Sequence, residues 1–247
     1  MEEPSLTYTT AYQTEKDSFY VTVGLWQAGQ NRIFIDCNVQ SPADMLSPGR
    51  IGMTAILPVR FTAMKWYGKG PLETYPDRQC GGRMGVYSED VRNQPFYLRP
   101  QEYGLHTESR SMRLTDPDRA DFVRFEAACP MAMSAVPYSD LQLWNARHPF
   151  ELPAPEALYV HLDYAHRGLG NSSCGPDVLP TYCIDDRPCR FGFALEAGLG
   201  EREDNPFGPI PEEIPAYHPW KAVGEQDRTP SYRDPSDPDQ RSNAGMV

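Results

Sequence analysis

No apolar run in this 247-residue chain approaches the roughly 20 residues that a membrane-crossing helix requires, so a helical span is excluded. The opening Met1-Glu2-Glu3-Pro4-Ser5 has neither the basic nor the apolar region of a secretory signal, and a soluble, cytoplasmic protein is the expectation. Basic residues are in deficit: 23 Lys and Arg stand against 34 Asp and Glu, a net charge of −11, which opposes attraction to phosphate backbones and argues against a nucleic-acid partner. The six cysteines, at 37, 80, 129, 174, 183 and 189, never form Cys-x-x-Cys and lie far apart, so reduced thiols are expected rather than a zinc site or a dense disulfide framework. Phosphate-loop, nucleophile-elbow and His-Glu-x-x-His motifs are missing as well, and neither a metal nor a cofactor is expected in this chain.

Period-two alternation is what the chain does have. Val21, Val23 and Leu25 share one face of a strand, and Ile33, Ile35, Cys37 and Val39 one face of the next, with Gly29-Gln30-Asn31 as turn chemistry between them. Leu57, Val59 and Phe61 continue the pattern, although Pro58 withholds a ladder donor and points to an edge or a bulge. Further strands are expected over Leu105–Leu114, Phe122–Ala127, Met131–Val136, Leu158–Ala165 and Arg190–Glu196. Helical turns are expected only near Ser88–Arg92 and Ser139–Asn145, the second capped by Ser139 or Asp140. A parallel βαβ arrangement needs long amphipathic helices, which are absent, so the fold class is all-β: a large β-sandwich with one or two short helices. We expect one sandwich domain over residues 1–200. Residues 201–247, rich in Pro, Asp, Glu and Arg, are expected to form an acidic tail, partly disordered, with Ile210, Ile214, Tyr217 and Trp220 able to dock on a surface.

Two stretches concentrate chemistry. In Trp66-Tyr-Gly-Lys-Gly-Pro-Leu-Glu-Thr-Tyr-Pro-Asp-Arg78, Gly68 and Gly70 allow close backbone approach, Pro71 and Pro76 stiffen the path, and Glu73, Asp77 and Arg78 can pair locally. The second, His166-Arg-Gly-Leu-Gly-Asn-Ser-Ser-Cys-Gly-Pro176, follows a strand. Its small polar side chains and bare amides can meet sugar hydroxyls, or simply form a connector. On the strand before it, His161 and Asp163 share a face, as a structural pair or an acid/base dyad. His106 and His148 stand alone in the sequence. Retaining glycoside hydrolysis needs two carboxylates about 5–5.5 Å apart, and no local pattern singles out such a pair.

The 66–78 stretch resembles the Trp-x-Gly-x-Gly-Pro-x-Glu-x-Tyr-x-Asp-Arg segment of the C-terminal domain of family 2 β-galactosidases. Arg50-Ile-Gly-Met53, Pro100-Gln-Glu-Tyr-Gly-Leu-His-Thr107 and the 166–176 loop follow the same family's pattern in the same order, so that the likeness runs from about residue 15 to 198. The resemblance implies a galactose-mutarotase-like supersandwich, standing as the C-terminal domain or the small subunit of an enzyme that hydrolyses terminal β-galactosides such as lactose. The catalytic glutamates of that family lie on a (β/α)8 barrel, to which nothing here corresponds. The chain is therefore expected to be inactive alone, with no catalytic residue of its own, and to join a barrel-bearing partner. The resemblance also implies that Cys174 lines the galactoside pocket where the best-known member has a tryptophan. Asn171, Ser172 and Ser173 neighbour it, and His166 supports it. Trp66, Gly68, Gly70, Glu73, Tyr75, Asp77 and Arg78 are implied to be architectural. Two alternatives stand beside this reading. One is a free-standing sugar mutarotase or epimerase, with His161 or His166 as acid and Asp163 or Glu108 as base. The other is a non-catalytic carbohydrate-binding module using aromatics such as Trp144, Tyr159 and Tyr138.

Overall fold

A computed structural model describes residues 5–13, 18–40, 48–94, 97–170, 175–185 and 187–200. The 201–247 segment lies outside them. Ten strands dominate the described residues: β1 (Leu6–Gln13), β2 (Ser18–Gln27), β3 (Arg32–Gln40), β4 (Arg50–Pro58), β5 (Ala63–Gly70), β6 (Arg83–Asp90), β7 (His106–Thr115), β8 (Phe122–Val136), β9 (Ala157–His166) and β10 (Cys189–Gly198). The described helix is minor, namely α1 (Asp140–Asn145) and single 3-10 turns at Val91–Asn93, Pro149–Glu151 and Pro180–Tyr182. The fold is all-β.

β8 organises the sheet. Its first half, Phe122–Ala127, pairs with β10, and its second half, Ala132–Val136, pairs with β9, while β7 lies along its other side. One arm then runs from β8 through β10 and β3 to β2 and β1 and the other through β9 to β4, while β7 continues on its own side through β5 to the edge strand β6, all antiparallel. The arms face each other across the core: Cys37 Sγ of β3 meets Met53 Sδ of β4 at 3.2 Å, and the Tyr164 ring of β9 stacks on Phe191 of β10 with centroids 5.7 Å apart. Two sheet arms closing on one apolar filling is the sandwich solution to half-apolar strands. The filling includes Met112, Leu114, Phe125, Met133, Val160 and Leu162, the alternate residues of β7, β8 and β9.

Several boundaries differ from the sequence reading. Phe122–Ala127 and Met131–Val136 form one 15-residue strand running through Pro130 rather than two. The strand expected to reach Phe61 stops at Pro58 on the edge strand β4, and Phe61 is buried beyond a turn. Arg50–Met53 forms the start of β4, and Trp66 sits in the middle of β5. The helical turn at Ser88–Arg92 is instead the end of β6 followed by a 3-10 turn at 91–93. α1 carries a full capping box: Ser139 Oγ accepts from the Gln142 amide at 3.2 Å while Gln142 Oε1 accepts from the Ser139 amide at 2.8 Å.

Candidate functional site

The β4/β9 pairing builds a polar face. Arg50 lies opposite His166, Gly52 opposite Asp163 and Thr54 opposite His161, so these residues share one side while Ile51, Met53, Leu162 and Val160 face the core. Simple alternation puts His161 and Asp163 together but sends His166 to the other side. A β-bulge at Ile51/Gly52 reverses that outcome, because Tyr164 and Ala165 together oppose Ile51 and the extra residue turns His166 back toward Arg50. Gly52 is required by the same crowding, since a Cβ there would stand 2.4 Å from Asp163 Oδ1 and 2.6 Å from the Leu162 carbonyl.

Arg50 is the hub. Nη1 lies 2.5 Å from His161 Nδ1, Nη2 donates to Glu102 Oε2 and approaches His166 Nε2 at 3.5 Å, and Nε stands 3.8 Å from Asp163 Oδ2. Asp140, the first residue of α1, comes within 3.8 Å of Nη1. Since a guanidinium only donates, His161 must accept at Nδ1 and carry its proton on Nε2, 3.6 Å from Asp140 Oδ1. His166 adopts the opposite tautomer, donating Nδ1–H to the Arg167 carbonyl at 2.6 Å.

Electrostatics agree with two neutral rings. Burial, with the Arg50 charge second, lowers both His161 and His166 from 6.5 to about 4. Burial raises the Asp163 carboxyl to about 8, and Arg50 offsets this only in part. Glu102 is also raised by burial, with Arg50 again the main opposing influence.

The 66–78 stretch meets this cluster. Tyr75, fully buried, donates its hydroxyl to Glu102 Oε1 at 3.3 Å and sets its ring edge-on to His166, with centroids 5.4 Å apart. Tyr75-Pro76-Asp77-Arg78 is a tight turn closed by the Arg78 amide on the Tyr75 carbonyl at 2.9 Å, with Pro at the second position. The turn presents Asp77. Its Oδ1 accepts from the Leu169 amide at 3.1 Å and its Oδ2 from the Gly170 amide at 2.7 Å, across 92 and 93 residues of sequence. The root of the 166–176 loop is thereby clamped. Gly170 has φ +62°, and a Cβ on it would lie 2.7 Å from the Val178 amide, so a side chain there is both strained and crowded.

The remaining members of the stretch pair as follows. Glu73 accepts from Tyr97 OH, from the Gly104 amide at 2.8 Å and from Arg78 Nη2 at 3.3 Å. Trp66, 1% exposed, donates Nε1–H to the Lys69 carbonyl at 3.0 Å. Gly68 and Gly70 lie so close to Ser109 and to the Tyr87 ring that a Cβ would stand 2.6 Å from each.

Of the expected pocket residues, His166 lies in the cluster, while Asn171, Ser172, Ser173 and Cys174 lie outside the described residues. His161 and Asp163 meet through Arg50 and are buried. Glu108 lies on β7 and is paired 3.8 Å from Arg110. The sequence reading overlooked Arg50, Glu102 and Asp140 as a cluster, because they come from three separate segments. The available signal was the position of Arg50 and Glu102 within two of the four family-like stretches. Among the described residues, no group of three or more His, Cys, Asp and Glu side chains is arranged to hold a metal ion, and no helix is long and apolar enough to cross a membrane.

Fold and site together define a large all-β module that carries one buried polar hub at the root of a Gly-rich loop. The chain belongs to the β-galactosidase small-chain family, whose profile matches residues 2–195. It is 31% identical over 156 residues to the β-galactosidase of Staphylococcus xylosus, covering 62% of this chain and 16% of that protein. It is 33% identical over 168 residues to the β-galactosidase of Arthrobacter sp. strain B7, covering 64% and 16%. To that of Lactobacillus delbrueckii subsp. bulgaricus it is 35% identical over 141 residues, covering 56% and 14%. The chain thus matches about a sixth of the length of these relatives. A solved Escherichia coli K12 chain, whose description proposes an aldose 1-epimerase, overlaps 78% of this chain and 65% of its own at 10% identity and a TM-score of 0.44, too slight a likeness to carry an argument.

Proposed function

We propose that this chain is the non-catalytic module of a cytoplasmic family 2 β-galactosidase that hydrolyses terminal β-galactosides such as lactose. It docks on a barrel-bearing catalytic chain or domain, which supplies the acid/base and nucleophile carboxylates. The 166–176 loop closes one wall of the shared galactoside pocket, with Cys174 toward the sugar, Asn171, Ser172 and Ser173 beside it, and His166 supporting its base. The 66–78 stretch acts as the brace.

The carrying observation is the Asp77 clamp. A carboxylate on a stiff turn holds two consecutive amides of a distant Gly-rich loop, and charge-assisted bonds of this kind fix a loop root far better than neutral contacts do. A mere connector has no need of such fixation; a loop that positions a pocket wall for another module does. The family match, and the small fraction of each relative that the chain covers, support a larger partner.

The test uses the assembled enzyme. Cys174→Ala should change KM for o-nitrophenyl β-galactoside by about two- to tenfold and leave kcat nearly intact, as expected for a wall contact that the ground and transition states share. Complete loss of turnover, or no change in any parameter, contradicts the role assigned to Cys174.

A second reading, a free-standing sugar mutarotase, has one observation in its favour: His166 Nε2 lies 3.8 Å from Glu102 Oε1, so a neutral imidazole and a carboxyl share one centre. Polarimetry on freshly dissolved α-galactose separates the two. Equilibration no faster than in buffer, and unaltered by Glu102→Gln, removes this second reading.

A further inference from the structure

A cavity of about 270 Å3 shares no residue with the Arg50 cluster. Pro71, Leu72 and Tyr97 give it apolar walls, and Gly104 leaves room at one side. Its polar lining comes from Glu73, Glu89, Gln94 and His106, with no lysine or arginine among the lining residues.

These polar groups are unevenly satisfied. Glu73 is already occupied by the Tyr97 hydroxyl, the Gly104 amide and Arg78. Glu89 Oε1 accepts from Gln94 Nε2 at 2.6 Å, which fixes the orientation of that amide and leaves Gln94 Oε1 buried with no donor. His106, 1% exposed, stacks flat on Trp66 with centroids 3.9 Å apart, and neither ring nitrogen has a hydrogen-bond partner. Its Nε2 stands 3.6 Å from Glu89 Oε1, too long for a good bond. Whichever nitrogen carries the proton, the other is a bare acceptor. Buried polar groups are rarely left this way, and two such side chains beside a carboxylate around one cavity call for a ligand that brings donors.

We propose that this cavity is a binding site for a small primary ammonium compound with an apolar body, its N–H groups directed to the Glu89 carboxylate, Gln94 Oε1 and a His106 ring nitrogen. An ammonium carries three donors and no acceptor, which complements these three acceptors, one of them a carboxylate. The apolar walls take the hydrocarbon part. At about 270 Å3 the cavity lies just under the range of drug-sized pockets, roughly 300–1,000 Å3, and suits a compact molecule. The site is independent of the galactoside reading, and its failure leaves that reading untouched.

Calorimetry on the full chain at pH 7 provides the test, with benzylamine as probe, and benzyl alcohol and sodium chloride as the neutral and small-cation comparisons. Benzylamine should bind at least tenfold more tightly than benzyl alcohol, sodium should not displace it at equal concentration, and the His106 ring resonances should shift on titration. Glu89→Gln, close in shape, should weaken benzylamine at least tenfold while leaving benzyl alcohol unaffected. Absence of benzylamine binding at millimolar concentration, equal binding of the alcohol, or displacement by equimolar sodium overturns the proposal. If Glu89→Gln does not fold, the wild-type comparison of amine, alcohol and sodium with the His106 signals still decides it.

Discussion

Replacing Asp77 with Asn keeps the side chain's shape but removes its charge and sets an N–H2 group against a backbone donor. Hydrogen bonds to a charged group contribute about 1.5–3 kcal/mol, so Asp77→Asn should cost roughly ten- to hundredfold in hydrogen-exchange protection of the Leu169 and Gly170 amides. In the assembled enzyme KM should rise more than kcat falls. Unchanged protection would show that the loop root is held by something else. Protection lost without any change in KM would separate a true clamp from a loop with no part in the pocket. Asp163 lends itself to a pH test. Its carboxyl, ordinarily near 3.8, is raised to about 8 in the folded chain, so between those values the folded state holds a proton that the unfolded state has released. Its contribution is complete below pH 4 and is lost as pH rises through 8. The two histidines act oppositely, since with folded values near 4 against 6.5 they favour the fold above pH 6.5 and withdraw that support as pH falls through 4. Asp163→Asn should therefore flatten the decline in melting temperature between pH 5 and 8.5 while leaving the acid limb in place. An alkaline decline as steep as in the wild type would contradict a buried, protonated Asp163. Little of this was legible in the sequence: the i, i+2 pair His161 and Asp163 was visible, but alternation cannot show the bulge that returns His166 to the same side.

At the scale of elements, alternation revealed strands in proportion to their half-buried character. β2, β3, β8, β9 and β10 carry apolar residues at every second position that enter the common core, β7 does so only at Met112 and Leu114, and these strands could be foreseen. β1, Leu-Thr-Tyr-Thr-Thr-Ala-Tyr-Gln, is exposed almost throughout and held by its pairing to β2 alone, so no face of it is marked as inward. β6 is the opposite edge, exposed at every second position and packed on the core only through Tyr87. α1 was legible through Ser139, and its cap has a consequence for the hub because Asp140 starts the helix within reach of Arg50 and His161. Ser139→Ala should cost about 1 kcal/mol, a fall in melting temperature of roughly 2–4 °C for a chain of this size. Gly52→Ala should cost more, about 2–3 kcal/mol, because the new methyl meets Asp163 and a strand carbonyl instead of a movable side-chain tip. A Gly52→Ala chain as stable as the wild type would mean that the bulge yields more easily than its contacts indicate. Both values are read from thermal denaturation followed by circular dichroism.

At the scale of the molecule, the four family-like stretches, scattered from residue 50 to 176, belong to one arrangement. Arg50 of β4, Glu102 and Tyr75 converge on one buried centre, and Asp77 carries the brace outward to Leu169 and Gly170. A likeness of sequence motifs thus corresponds to a continuous network of contacts, although no single motif disclosed it. That network holds a loop and gives no reason of its own for hydrolysis, so the proposed turnover belongs to a second module. Reconstitution tests this most directly. The purified 247-residue chain, free of host hydrolase, and a barrel-bearing β-galactosidase chain from the same source are assayed separately and then mixed, with o-nitrophenyl β-galactoside as substrate. Division of labour between two modules predicts no turnover from this chain alone and a large gain on mixing that saturates at a fixed stoichiometry. Hydrolysis by this chain unaided, or a partner whose rate and KM are indifferent to its addition, would contradict it.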